Sequence, residues 1–357
     1  MSPPPAKLVQ IMAGARQGGA ELFFERLALG FAERQIDQTA LIRPWPERVA
    51  RLQAAGIEVR GQSFARPLAG LNRWQIGRQL KRIDPQIVLS WMSRAAARVP
   101  AGSWVHIGRL GGYYPLRHYR SCDWLVANTG GIADWLVAEG WPRERVRVLV
   151  NFVPPAPQQA ARRADFATPD GAPLIVALGR LHPNKAFDVL LAALDHIRGA
   201  HLWLAGDGPE KARLQAQAAS LGLTGRVHFL GWQNNPQALI KAADLFICPS
   251  RHEPFGNVIA EAYSAGTPVL ASASQGALEF VQDGKTGVLV ATEDSQALAE
   301  AANSLLADKP GRDQLAAAGY QRWQEQFAPP QVLDSWQDFF AKVSKGVSDG
   351  VSGGGIS

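Results

Sequence analysis

The segment PSRHEPFGNVIAEAYSAGTPVLAS, residues 249–272, holds two glutamates eight positions apart in unlike surroundings. Glu253 stands beside Pro254 among charged and turn-forming residues, whereas Glu261 stands among small and apolar ones. LFICPS ahead of them has the continuous apolar character of a buried strand. GNVIAEAYSAG reads as a helix that opens at the Pro254–Gly256 turn and ends near Gly266, with Asn257 and Glu261 one turn apart on a shared face. Glu253 then lies at the mouth of a crevice at the sheet edge, and Glu261 one turn deeper. Uncapped helix amides between them suit a sugar or a phosphate. The competing reading is a helix-cap glutamate followed by a buried, internally satisfied one.

Two further loops carry candidate chemistry. In ALGRLHPNKAFDVLLAAL, Arg180 and Lys185 fall after a strand and before a helix, the edge where doubly wound sheets take ligands. An arginine fork and a lysine point charge there could clamp a diphosphate, or be two ordinary surface cations. In GARQGGAELFF, Gly18 and Gly19 precede a helix and either let backbone approach a ligand or simply make a tight turn. The spacing is not G-x-G-x-x-G, and the second strand, QTALIRP, ends without a ribose-binding acid, so a dinucleotide fingerprint is excluded.

The elements that must position these residues are legible as alternation. KLVQIMAG, QTALIR, QIVLSW, WVHIGRL and DWLVAN are short apolar runs separated by helical or polar stretches. The pattern lapses over 151–173, a run rich in Pro, Ala and charge that reads as a linker. It restarts with LIVALGR, HLWLAG, RVHFLG, LFICPS, PVLAS and TGVLV, with FDVLLAALDHI and PEKARLQAQAASLG as intervening helices. With 357 residues, two tandem Rossmann-like domains are expected. The boundaries are 1–152 and 153–328, a helix over 329–345 crosses back to the first domain, and 346–357 forms a disordered tail.

Composition narrows the partners. The two cysteines, Cys122 and Cys248, each sit in apolar runs and imply neither a disulfide framework nor a metal cluster. The first apolar run is too short for a membrane span and lacks a secretory cleavage pattern, so a cytoplasmic location is expected. Residues 1–150 carry 21 Lys and Arg against 11 Asp and Glu, while the whole chain is +6, so the remainder is net acidic. In GLNRWQIGRQLKRI, Ile76, Leu80 and Ile83 form an apolar stripe, and Arg73, Trp74, Arg78, Lys81 and Arg82 lie away from it. Tryptophan among cations suits an anionic membrane surface at the inner face of the plasma membrane; an ordinary solvated face is the alternative. No nucleic-acid recognition module is legible.

In order along the chain stand GGAE, GRL…K, GDGP, PS…EPFGNVIAEAYSAGTPV and EFVQDGKTGVLV. This array, spanning roughly residues 7 to 340, resembles the retaining glycosyltransferase family 4 of GT-B fold, in its bacterial surface-polysaccharide and lipopolysaccharide branch. The resemblance implies an interdomain cleft holding a UDP- or GDP-linked sugar, with no metal and no cofactor beyond that substrate. It implies that Glu261 bonds the ribose hydroxyls, that Glu253 contacts the transferred sugar, and that Arg180 and Lys185 neutralise the diphosphate. The amides of Phe255, Gly256 and Asn257 would touch sugar and phosphate, Gly18 and Gly19 would approach from the other domain, and Trp232 in FLGWQNN would wall the base.

Three departures stand out. His106 falls inside a strand where the family has a loop histidine contacting the donor sugar, so it is either that donor contact or a core residue, and Arg109, near the expected place, is the other candidate for the donor contact. Ala186 replaces the usual glycine after the lysine, and QGAL replaces a double glycine before Glu279. The expected reaction is hexosyl transfer to a glycolipid or polysaccharide such as lipopolysaccharide core, by attack on the leaving-group face. A sugar-nucleotide epimerase, which needs no acceptor, and a non-catalytic scaffold that has kept the fold are the other classes.

Overall fold

A computed structural model describes residues 7–16, 18–65, 69–253 and 255–348. The chain divides into two compact units, Met1–Asn151 with Pro329–Ser357, and Phe152–Ala328.

Unit 1 is built on seven strands: β1 Leu8–Met12, β2 Gln38–Ile42, β3 Glu58–Gly61, β4 Ile87–Trp91, β5 Val105–Leu110, β6 Trp124–Ala127 and β7 Val146–Val148. All pair parallel in the order β3-β2-β1-β4-β5-β6-β7. Strands β1, β2, β4 and β5 are buried along their whole length, which is why they read as largely apolar runs. Strands β3 and β7 were not expected from the sequence. They are short edge strands, largely exposed, so nothing requires them to be apolar.

The helix Gly19–Glu33 buries Phe23, Phe24, Leu27 and Phe31, and the Phe24 ring meets Trp91 edge-on at 5.4 Å. The C-terminal helix Pro329–Ser348 belongs to this unit. Its Phe340 ring lies 5.5 Å from Phe31, and its Phe339 ring 5.4 Å from Trp124. Leu333 occupies the space beside Gly30, where a Cβ would come within 2.9 Å of it. Arg34 ties the helix down through Asp334, Gln337 and the Pro330 carbonyl at 3.0 Å. The helix outruns the expected end at residue 345, and residues 349–357 of the expected tail lie outside the described residues.

Unit 2 has six parallel strands: β8 Leu174–Leu178, β9 His201–Ala205, β10 Val227–Gly231, β11 Leu245–Cys248, β12 Val269–Ser272 and β13 Val288–Val290. Their order is β10-β9-β8-β11-β12-β13. In each unit the order reverses beside the first strand, at β1/β4 and at β8/β11, which sets a crevice beyond the carboxyl ends of those strands. Part of the expected linker is packed onto unit 2. Phe152 and Val153 are buried, Phe166 meets Trp203 at 4.7 Å, and Arg163 bonds Asp244 at 2.9 Å.

Candidate active site

In unit 2 the loops that follow β8, β9 and β10 are sewn together by backbone hydrogen bonds. Gly179 N–H donates to Ala205 C=O, Leu181 N–H to Asp207 C=O, and Gly206 N–H to Gly231 C=O, at 3.0, 3.0 and 2.8 Å. Gly206 has φ of 138°, and a Cβ there would lie 1.8 Å from the Gly179 carbonyl oxygen. The glycine of the GDGP motif therefore permits two loop backbones to touch.

The GRL loop runs from Gly179 into a short 3-10 turn, Pro183–Lys185, before the helix Phe187–Asp195. Arg180 is exposed, with no hydrogen bond or ion pair among the described residues. Lys185 turns inward and its Nζ donates to Glu253 Oε2, with both side chains largely buried. Burial acts to lower the Lys185 pKa, but the charges of Glu253 and Glu261 and the Glu253 hydrogen bond outweigh it and hold it above its ordinary value. Ala186 sits at φ 51°, ψ 35°, left-handed geometry that explains why a glycine is at home after this lysine.

Glu253 lies in the loop after β11, and its Oε1 accepts from Gly256 N–H at 3.3 Å. Gly256, at φ 81°, caps the helix Asn257–Ser264, whose first residue is Asn257 and which carries Glu261, 8 % exposed. Phe255 buries its ring against Phe280 at 4.8 Å and leaves only backbone for a ligand. Pro254 lies outside the described residues. Gly276 N–H donates to Glu253 C=O at 2.7 Å, and a Cβ at Gly276 would lie 2.5 Å from that oxygen, so one glycine of the QGAL stretch is structurally required. Trp232, 66 % exposed, follows β10 as a free indole.

The structure thus brings Lys185 and Glu253 into contact, with Glu253 bonding the Gly256 amide at the start of the helix that carries Glu261. Sequence reasoning missed Arg251, which joins the loops bearing those two residues. Its guanidinium clasps Asp188 through both Nη atoms at 2.8 and 2.9 Å. The signal lay two residues before Glu253, in a position indistinguishable by type from a surface cation.

Unit 1 presents the GARQGG loop after β1. Gly18 is extended and Gly19 begins the helix, and both are exposed. Glu21, also overlooked, folds back so that its Oε1 accepts from Ala15 N–H at 2.8 Å. Its Oε2 fills the place a Cβ of Gly18 would take, 2.3 Å away. Arg48 holds the same loop from the other side through the carbonyls of Ala15 and Arg16, at 3.1 and 3.0 Å, and is anchored on Glu25 at 2.7 Å.

The two residues of unit 1 weighed for the donor sugar, His106 and Arg109, both lie in the core. His106 is buried: one ring nitrogen lies 2.8 Å from Ser90 Oγ and the other 2.8 Å from the Ser121 carbonyl oxygen. Burial pulls its pKa down to about 4, as befits a neutral core histidine. Arg109, 1 % exposed, is enclosed between the rings of Phe23 and Trp91, 4.9 and 4.8 Å from their centroids, with Nη2 donating to Asn151 Oδ1. Neither offers an open face to a ligand. Among the described residues no cluster of three or more His, Cys, Asp or Glu could hold a metal ion.

Comparison with known proteins bears on the family and the fold. Residues 17–156 match the family model "Glycosyltransferase Family 4", and residues 158–322 match "Glycosyl transferases group 1". The chain is 36 % identical over 335 residues to the lipopolysaccharide core biosynthesis glycosyltransferase LpsE of Rhizobium meliloti, covering 91 % of this chain and 96 % of that protein. It is 34 % identical over 337 residues to LpsD of the same organism, covering 94 % and 98 %. Among solved structures, Anabaena HepE in complex with UDP superposes with a TM-score of 0.82 at 21 % identity, over 94 % of this chain and 100 % of that one. WaaG, a glycosyltransferase involved in lipopolysaccharide biosynthesis, gives 0.69 at 18 % identity, over 93 % and 99 %. These likenesses mark the two parallel-sheet units as a GT-B fold. By its match to the family models and to these relatives, the chain belongs to the family 4 glycosyltransferases, with a group 1 domain as its second unit.

Proposed function

We propose that this chain is a retaining, metal-independent hexosyltransferase. It moves a sugar from a UDP- or GDP-linked donor to a glycolipid or polysaccharide acceptor of the lipopolysaccharide core type. The observation that carries the reading is the meeting of Lys185 with Glu253 beside the Gly256-capped helix that bears Glu261. The acceptor class is supported by the names of LpsE and LpsD, and the nucleotide by the UDP of HepE.

Departure of a nucleoside diphosphate gathers negative charge on the phosphates and leaves oxocarbenium character on the sugar. Lys185, Arg180 and the amides of Phe255, Gly256 and Asn257 stabilise the leaving group, each well-placed donor being worth ~3–4 kcal/mol. Glu253 accepts from sugar hydroxyls, Glu261 from the ribose, and Trp232 stacks on the base. The acceptor attacks from the leaving-group face and loses its proton to the departing phosphate. In this reading Gly18 and Gly19 are the donor-facing residues of unit 1.

The acceptor class suits a protein that works against an anionic membrane from the cytoplasmic side. On the helix Ala69–Ile83, Leu71, Trp74, Arg78, Lys81 and Arg82 share an exposed stripe, with Trp74 60 % exposed and the Arg78 guanidinium 5.7 Å from its ring. Such a stripe supports surface docking, and among the described residues no helix is long and apolar enough to cross a membrane. Flotation with anionic vesicles but not neutral ones is the expected result.

The decisive experiment is a thermal-shift screen against UDP, GDP and ADP, followed by sugar nucleotides on the winning base and NMR of the product's anomeric centre. An inverted product or a trapped glycosyl-enzyme adduct would overturn the same-face mechanism. Conversion of the donor without acceptor would point to an epimerase.

A further inference from the structure

We propose that Arg251 is a positioning residue that sets the spacing between Lys185 and Glu253, and so governs how tightly the site grips phosphate. This rests on the assignment of those two residues to a nucleotide-sugar site.

The geometry is that of a rivet through three segments. Arg251 Nη1 donates to the Pro183 carbonyl at 2.7 Å and to Asp188 Oδ1 at 2.8 Å, and Nη2 donates to Asp188 Oδ2 at 2.9 Å. Its Nε donates to Glu293, in the loop after β13. The backbone N–H groups of Arg251 and His252 both donate to the Asn184 carbonyl, at 2.9 and 3.2 Å. Arg251 therefore fastens the turn that ends at Lys185 to the loop that leads, two residues on, to Glu253.

Four donations to four acceptors use the planar fork that arginine has and lysine lacks. Burial pushes the Asp188 carboxyl up, but the hydrogen bonds and charge of Arg251 outweigh it and keep it below its ordinary value, so both ends of the clasp stay charged. Asp188, Arg251 and Glu293 line, with Arg213, a groove of about 700 Å³.

The test is Arg251→Gly in the full chain, titrated with UDP, GDP and ADP and with the parent nucleosides. For the diphosphate that wild type binds, affinity falls about tenfold, equivalent to about 1.4 kcal/mol, while the nucleoside changes less than twofold. Guanidinium at millimolar concentration, entering by the groove, restores diphosphate affinity, and urea does not. Arg251→Lys, which keeps the charge without the fork, shows the same split and serves if the glycine variant fails to fold. Equal losses for diphosphate and nucleoside, or no loss for either, overturn the inference. A wild-type chain that binds none of the three diphosphates instead refutes the functional reading itself.

Discussion

The Nζ of Lys185 is bonded to Oε2 of Glu253, while Oε1 of the same carboxylate takes the Gly256 amide that opens a helix. The candidate phosphate-binding cation is neutralised by the candidate sugar-binding anion. A bound diphosphate would compete with Glu253 for Lys185, and the Glu253 carboxylate would then need a new donor, such as a sugar hydroxyl. As the contact stands, neither charge is buried alone.

Removing one partner exposes that dependence. Lys185→Met should destabilise unit 2 by about 2–3 kcal/mol, because the Glu253 carboxylate loses its charged donor. Glu253→Gln should cost less than the sum implies when combined with it. A double-mutant cycle in denaturant measures the coupling; strictly additive losses would mean the contact carries no energy.

Glu261→Ala should weaken nucleotide binding by ~1.5–3 kcal/mol, the worth of a hydrogen bond to a charged group. Glu253→Ala should lower turnover more than donor affinity. Calorimetric titration and steady-state kinetics separate the two, and unchanged values for both variants would remove these glutamates from the site.

Gly206→Ala drives a Cβ onto the Gly179 carbonyl, at 1.8 Å in the present backbone. We expect a loss of more than about 2 kcal/mol together with loss of nucleotide binding, because the two loops must part. Gly199→Ala is the control: it also has positive φ, 65°, but open space around it, and should cost only ~1 kcal/mol with binding intact.

His106 makes unit 1 sensitive to acid. Its pKa is depressed in the fold to about 4, from 6.5. The contribution is complete above 6.5 and is lost as pH falls toward 4, since only the unfolded chain readily takes the proton. The linked loss is ~3 kcal/mol. Hydrogen exchange of the β4–β6 amides against pH reads it directly, and His106→Phe should flatten the profile over that range.

Most strands that the sequence made plain are buried along their length, where burial writes a largely apolar run, and the partly exposed edge strands β10 and β13 kept enough apolar residues to be read as well. Edge strands β3 and β7 were silent because one side is water. Within the site, Lys185, Glu253 and Glu261 were legible as charges in turn or apolar surroundings. Their support was not: Arg251, Asp188, Glu21 and Arg48 are ordinary residue types whose meaning is pairing across long sequence separations. His106 was open to either reading, because the core can satisfy a polar side chain within a strand, as Ser90 and the Ser121 carbonyl do here.

The return of the chain to unit 1 has a consequence for synthesis. Phe31 meets the rings of Phe340 and Trp336, and Trp124 that of Phe339, all on the helix Pro329–Ser348. A nascent chain leaving the ribosome therefore carries an unfinished first lobe until the helix Pro329–Ser348 has been made. The second lobe, continuous from Phe152 to Ala328, has all its strands beforehand. Born first, unit 1 is the one completed last, and a stop codon anywhere before the final helix would leave it with a bare aromatic flank.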